Sequence, residues 1–155
     1  MSLIEHSATV TGSLEAVFDL TQDYSLRVKW DPFSESYEFE GDATQLAPGV
    51  CLTVYAKNGF RMKVRYISYQ RPRVAAIEMV SGPWFIERFA GTWLFAATSH
   101  RETRVTFKYN VVAGPSVICR LLQPLLDWSF SRHARARLQA LSHYFATNAA
   151  LANEP

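Results

Sequence analysis

A chain of 155 residues fits one domain and is long enough to bury a core of its own. Hydrophobic residues make up 48% and aromatics 14%, which excludes a disordered chain, and a net charge of only +2 gives no reason to invoke nucleic acid or an anionic membrane as an obligate partner. The two cysteines, Cys51 and Cys119, form neither a disulfide scaffold nor a CxxC or Cys/His metal set, and read as reduced thiols.

The opening MSLIEHSATV has no basic segment followed by an apolar one, so no signal peptide is expected. Residues 3–11 alternate, with Ile4, His6, Ala8 and Val10 on one face of a strand. Gly12-Ser13 then opens a short helix with Ser13 as its N-cap and Val17, Phe18 and Leu20 on its buried side. A second short helix spans Tyr24 to Trp30 and stops at Trp30-Asp31-Pro32, because the proline pushes Asp31 out of helical geometry.

Six further strands follow. The alternation predicts them over Ser36–Glu40, Val50–Ala56, Phe60–Tyr69, Val74–Val80, Ile86–Ala97 and Arg104–Val112, with turns at Ala47-Pro48-Gly49, Asn58-Gly59, Arg71-Pro72, Ser81-Gly82-Pro83 and Thr98–Glu102. Long strands with one wet and one apolar face predict a single curved antiparallel sheet.

From Pro115 to about Thr147 the spacing turns helical, with Ile118, Leu122, Leu125, Leu126, Phe130, Ala134, Leu138, Leu141 and Phe145 on one stripe and Pro115 as the first helical residue. Such a helix is roughly 50 Å long and needs a sheet to lie on. Pro124 predicts a bend or break near Leu121–Pro124. Arg120, Gln123, Pro124 and Asp127 interrupt the apolar runs, so no membrane span is expected, and a cytoplasmic protein is the default. One domain is expected over residues 1–148, with 149–155 a frayed tail.

In its order of elements the chain resembles the START-like (SRPBCC) superfamily, and within it the bacterial polyketide cyclase/dehydrase and lipid transport type proteins. The carriers are Trp30-Asp31-Pro32-Phe33, Phe89-Ala90-Gly91-Thr92-Trp93-Leu94-Phe95, Thr103-Arg104-Val105-Thr106-Phe107 and the long terminal helix, across residues 3–147. The resemblance implies an α+β helix-grip fold: about seven strands curved around a long C-terminal helix, two short helices after the first strand, and a cavity between sheet and helix. The superfamily shares no catalytic motif, so no catalytic residue is carried over.

The register supplies candidates for the cavity wall. Arg104, Thr106 and Lys108 face water, so Phe107 and Tyr109 face inward, and Trp93 shares their parity on the partner strand. Counting back by twos from Trp93 gives Phe89 and then Glu87, an acid on the apolar side, as a ligand anchor, an acid/base group or a charge meeting water at the strand end. By the same alternation Tyr37, Phe39, Val54, Met62, Val64, Tyr66, Ile77 and Met79 point inward, and Leu126, Ser129 and His133 supply the helix side, the last two at i and i+4. Tyr37, Tyr66 and Tyr109 would form an amphipathic lining, and Met62 and Met79 an adaptable wall. His6 shares the inward parity of its strand, as a core histidine or a wall residue. Trp30-Asp31-Pro32-Phe33 is expected to close the sheet against the short helices, a region that the resemblance also implies at the cavity entrance, and Pro83-Trp84-Phe85 is a second candidate for the rim.

The expected function is binding or carrying a hydrophobic small molecule: a lipid, a quinone or an aromatic polyketide-like compound. The alternatives are an aromatase/cyclase, with Glu87, His133 and a tyrosine moving protons, and an interaction module using the outward basic row Arg61, Lys63 and Arg65. No cofactor, metal or nucleic acid is expected. Transient contact with a membrane surface is compatible with the sequence, and so is either a monomer or a homodimer.

Overall fold

The structure is a computed structural model that describes residues 2–43 and 45–152. Strand β1 (Ser2–Thr11) is followed by helices α1 (Leu14–Gln22) and α2 (Tyr24–Trp30). Strands β2 (Ser34–Phe39), β3 (Cys51–Ala56), β4 (Arg61–Gln70), β5 (Val74–Ser81), β6 (Ile86–Ser99) and β7 (Glu102–Ala113) come next. The chain then enters α3 (Val117–Leu121) and α4 (Gln123–Ala152). The strands form one antiparallel sheet in the order β1-β7-β6-β5-β4-β3-β2, so the sequential neighbours β2 to β7 are completed by β1 closing on β7.

Alternation sets the two faces. On β7, Val105, Phe107, Tyr109 and Val111 are buried while Arg104 is exposed and Thr106 and Lys108 are half-buried. The wet face carries its own pairs, with Ser7 Oγ 2.9 Å from Thr106 Oγ1 and Lys63 Nζ 2.8 Å from Glu40. Burying side chains such as Val105 or Leu141 contributes about 1.5–3 kcal/mol each. Phe18 of α1 packs edge-on against Phe95 at 5.1 Å and Tyr69 at 5.4 Å, which fixes α1 over one end of the sheet.

The helix ends follow their caps. Ser13 Oγ accepts from the N–H of Ala16 at 3.2 Å, as its position before the apolar turn predicts. Asp23 Oδ1 accepts from Ser25 N at 3.0 Å and starts α2, which closes at Asp31, whose ψ of 114° is the extended geometry a following proline imposes. The expected break in the terminal helix is present at Leu122, between α3 and α4, and Pro124 falls in the first turn of α4, where its missing N–H costs nothing. The helix does not begin at Pro115. Ser116 is the cap, its Oγ accepting from Cys119 N at 3.1 Å, and Pro115 stays outside. Gln123 fastens the start of α4 to the sheet: its Oε1 accepts from Ala113 N at 2.8 Å and its Nε2 donates to Val111 O at 3.0 Å. At its far end α4 runs to Ala152, past the point where a frayed tail is expected; 153–155 lie outside the described residues.

One irregularity decides the placement of a candidate residue. The β6–β7 register runs in step from Arg88↔Val112 through Phe89↔Val111 to Trp93↔Phe107, but shifts between Ile86 and Arg88. Glu87 is the extra residue of that bulge. The parity therefore reverses there: Ile86 is buried, and Glu87 and Arg88 are both exposed. No helix among the described residues is long and apolar enough to cross a membrane.

Candidate functional site

Sheet and terminal helix enclose a cavity of about 130 Å³. A single water needs roughly 10–15 Å³ on this measure, so the space is well beyond that of one water and suits a small organic molecule. Its open end is marked by Asn58 and Phe60, which are exposed, and by Pro83 and Phe85, which are half-buried, with Phe60 and Phe85 edge to face at 5.2 Å. Trp84 stands outside that end at 76% exposure and packs edge-on against Phe85. The Pro83-Trp84-Phe85 turn thus contributes Pro83 and Phe85 to the wall and leaves Trp84 in solvent.

The sheet supplies Tyr37, Val54, Met62, Val64, Tyr66, Ile77, Phe89, Trp93, Phe107 and Tyr109, and α4 supplies Leu126, Ser129 and His133, all as their spacing predicts. Three predicted wall residues are elsewhere. Glu87 is turned outward by the β6 bulge and does not line the cavity. Phe39 has the parity of Tyr37, but Tyr24 of α2 stands against both rings, 4.5 Å from Tyr37 and 5.5 Å from Phe39, and leaves Phe39 to a shallow depression beside α1 and α2. Met79 is diverted to the Ser81-Gly82 turn, where its Sδ fills the space that a Cβ on Gly82 would need. His6 is half-buried, its Nε2 2.7 Å from Ser131 Oγ of α4.

The closed end holds residues that the sequence reading missed. Arg27 of α2 and Arg137 of α4 both line the cavity, and both pair with one oxygen of Asp31: Arg27 Nε at 3.3 Å and Arg137 Nη2 at 2.8 Å from Oδ2. The Asp31 side chain is fully buried, Arg27 is 6% exposed and Arg137 11%. The other Asp31 oxygen accepts from Phe33 N at 2.9 Å. Aromatic faces flank the cations. Arg27 lies 5.1 Å from the Tyr24 ring and 5.6 Å from Trp93, and Arg137 lies 5.4 Å from Trp93 and 5.1 Å from Phe107. A signal for them exists in the sequence: Tyr24, Arg27 and Trp30 recur every third residue on the buried stripe of α2, and Leu126, Phe130, His133 and Arg137 step by four, three and four along α4. A buried arginine breaks the polar-outside expectation, which assigns both to solvent.

Protonation follows from the surroundings. Burial pushes the Asp31 carboxyl up, but Arg137, Arg27 and the Phe33 N–H together outweigh it and hold the group ionised, below its usual range. Burial lowers His133, and Arg137 and Arg132 lower it further, so at neutral pH it is an uncharged imidazole, edge-on to Phe33 at 5.0 Å. Burial raises the Tyr37, Tyr66 and Tyr109 phenols, which stay protonated and able to donate. Tyr66 donates to Gln22 Oε1 at 2.8 Å and meets the Tyr24 hydroxyl at 2.5 Å. The Tyr37 and Ser34 hydroxyls and Arg137 Nε are buried without a hydrogen-bond partner of good geometry.

Residues 1–146 match the family described as polyketide cyclase/dehydrase and lipid transport. The chain belongs to that family. Solved structures show the same fold at low sequence identity. The Zhui aromatase/cyclase from Streptomyces sp. R1128 superposes with a TM-score of 0.84 at 15% identity, covering 99% of each chain. TTHA0849 from Thermus thermophilus gives 0.78 at 16% identity, over 95% of this chain and 99% of that one. Ara h 8.0201 gives 0.73 at 13%, over 94% and 98%. No curated protein matches the sequence. This member of the polyketide cyclase/dehydrase and lipid transport family therefore has the helix-grip arrangement of its elements, with a cavity between sheet and terminal helix.

Proposed function

We propose that this protein binds and carries a hydrophobic small molecule with one or two rings. The observation that carries the reading is the cavity itself: an aromatic wall from Tyr37 to Tyr109, closed at the Arg27–Arg137 end and open between Phe60 and Phe85. The aromatic lining suits the flat faces of a quinone or a fused aromatic. The outward position of Glu87 removes one of the three residues that a proton-moving cyclase was expected to use.

A cyclase reading keeps one supporting observation, the uncharged His133 in the wall four residues after Ser129. The aromatase/cyclase named above has this fold, and a fold of this kind serves both tasks.

The test is titration with 2-acetylnaphthalene, read by the fluorescence of Trp93, with a Trp93→Phe variant to assign the signal. Saturable one-site binding is expected. Native mass spectrometry of the protein from its own host should find a co-purifying ring compound. No saturable binding by this probe or by its carboxylate counterpart 2-naphthoate, together with no co-purifying ring compound, would remove the carrier reading. Turnover of an added poly-carbonyl substrate, lost in His133→Gln, would replace it with the cyclase.

A further inference from the structure

We infer that the ligand carries an oxyanion, a carboxylate or an enolate, which seats between Arg27 and Arg137 at the closed end of the cavity. The inference rests on the carrier reading above and specifies its ligand. The charge count is the starting point. Arg27, Arg137 and His133 line the cavity and no carboxylate does; the nearest, Asp31, sits behind the two guanidiniums with both oxygens already engaged. With His133 uncharged, the closed end holds two cations against one anion. A guanidinium does not shed its proton in a protein, so this surplus cannot be relieved by titration. Two buried cations that share one counter-ion are costly, and aromatic faces return only part of the lost hydration.

The donors point the same way. Arg137 Nε is buried and unpartnered, and the Tyr37 and Ser34 hydroxyls, which approach each other, make no hydrogen bond of good geometry. Tyr109, held protonated, approaches the Arg137 guanidinium. One oxyanion entering here would balance the charge and accept from donors on β2, β7, α2 and α4. A purely apolar ligand would leave them all unmatched. The open end, built from Phe60, Pro83 and Phe85, suits the ring system behind such a head group. The ligand would thus enter head first, with its rings toward Phe60 and its anionic oxygen on the arginines. Two sources share this chemistry, an aromatic carboxylate and a cyclic enolate.

The experiment uses two matched probe pairs at pH 7.5, measured by calorimetry on the full chain. The first is 2-naphthoate against uncharged 2-acetylnaphthalene. The second is 2-hydroxy-1,4-naphthoquinone, an enolate at this pH, against its uncharged 2-methoxy ether. The anionic member of at least one pair should bind tenfold or more tightly, and which pair does so identifies the source. In folded Arg137→Gln the preference of the anionic over the uncharged member should fall below threefold, and Arg137→Lys should retain part of it. If Arg137→Gln does not fold, the wild-type pairs and the lysine variant decide. Uncharged probes binding as well as the anions would overturn the oxyanion seat and leave the carrier reading standing. A preference undiminished in folded Arg137→Gln would also overturn it. Failure of all four probes would overturn both.

Discussion

Asp31 and Arg137 form an ion pair at 2.8 Å that joins the end of a short early helix to the middle of the terminal one. Both side chains are buried, and Asp31 Oδ2 is shared with Arg27. The pair does two things at once. It pins α2 against α4, and it aims two guanidiniums at the cavity. A buried ion pair of this kind adds little net stability over a well-packed apolar substitute, but removing one partner strands the others.

Asp31→Asn is therefore expected to destabilise the fold by about 3–5 kcal/mol, since two buried cations lose their counter-charge. Urea unfolding checks this. The sign of the pH effect also follows. The folded carboxyl lies below its ordinary 3.8, so its contribution is present above pH 3.8 and lost as pH falls through the folded value. The variant should accordingly lose less stability than the wild type below pH 4. An unfolding midpoint unchanged by the substitution would show that the triad is not paired as described.

His6 and His133 both have pKa values lowered from 6.5, with burial as the largest cause in each. The unfolded chain takes up protons near 6.5 that the folded chain resists. Stability should thus fall as pH drops through 6.5 and level off only below the folded values. Urea midpoints at pH 8, 7, 6 and 5 should show the decline, and the double substitution of His6 and His133 by Gln should flatten it. Parallel curves would show that other groups set the slope.

Tyr66→Phe removes the hydroxyl that donates to Gln22 and meets Tyr24. It leaves a buried amide oxygen short of its donor, at a cost of about 1–3 kcal/mol. Thermal melting should show the loss without a change in far-ultraviolet circular dichroism.

Ala75 of β5 is buried, lines the cavity and pairs with Trp93 of β6. Ala75→Leu should fill part of the empty space, lowering affinity for 2-acetylnaphthalene by about tenfold or more while leaving the fold as stable or slightly more so. Retained affinity in a folded variant would place the probe elsewhere.

The outer face supplies the control. Arg65 pairs with Glu78 and Lys63 with Glu40, both in solvent, and Glu87 is exposed on its bulge. Replacing Arg61, Lys63 and Arg65 together by Ser, or Glu87 by Gln, should leave probe affinity within about threefold, because exposed charges at this range are screened. Lost binding in the folded triple variant would mean that β4 presents its other face to the cavity.

Period-two alternation, the turn residues and the helical stripe were enough to place seven strands, two short helices and a broken terminal helix in order. Each of those signals is local: a strand residue's face depends on its neighbours, and Pro124 acts on its own turn. The same alternation placed Tyr37, Tyr66, Trp93, Phe107 and Tyr109 in the wall. It failed at Glu87 because parity carries along a strand only until a residue is inserted, and the bulge after Ile86 arises where the ends of β6 and β7 fit together, not in the sequence around Glu87.

The closed end was beyond local reading for a different reason. Arg27 and Asp31 are an ordinary i, i+4 pair on a short helix, and Arg137 sits in a basic run. Only when α4 lies across α2 does Asp31 meet both guanidiniums, and only then are they buried against Trp93 and Phe107. Sequence alone determined which faces are apolar, since that is written residue by residue. Tertiary structure decided where two positive charges would be taken out of water together, since that depends on elements distant in the chain packing against one another.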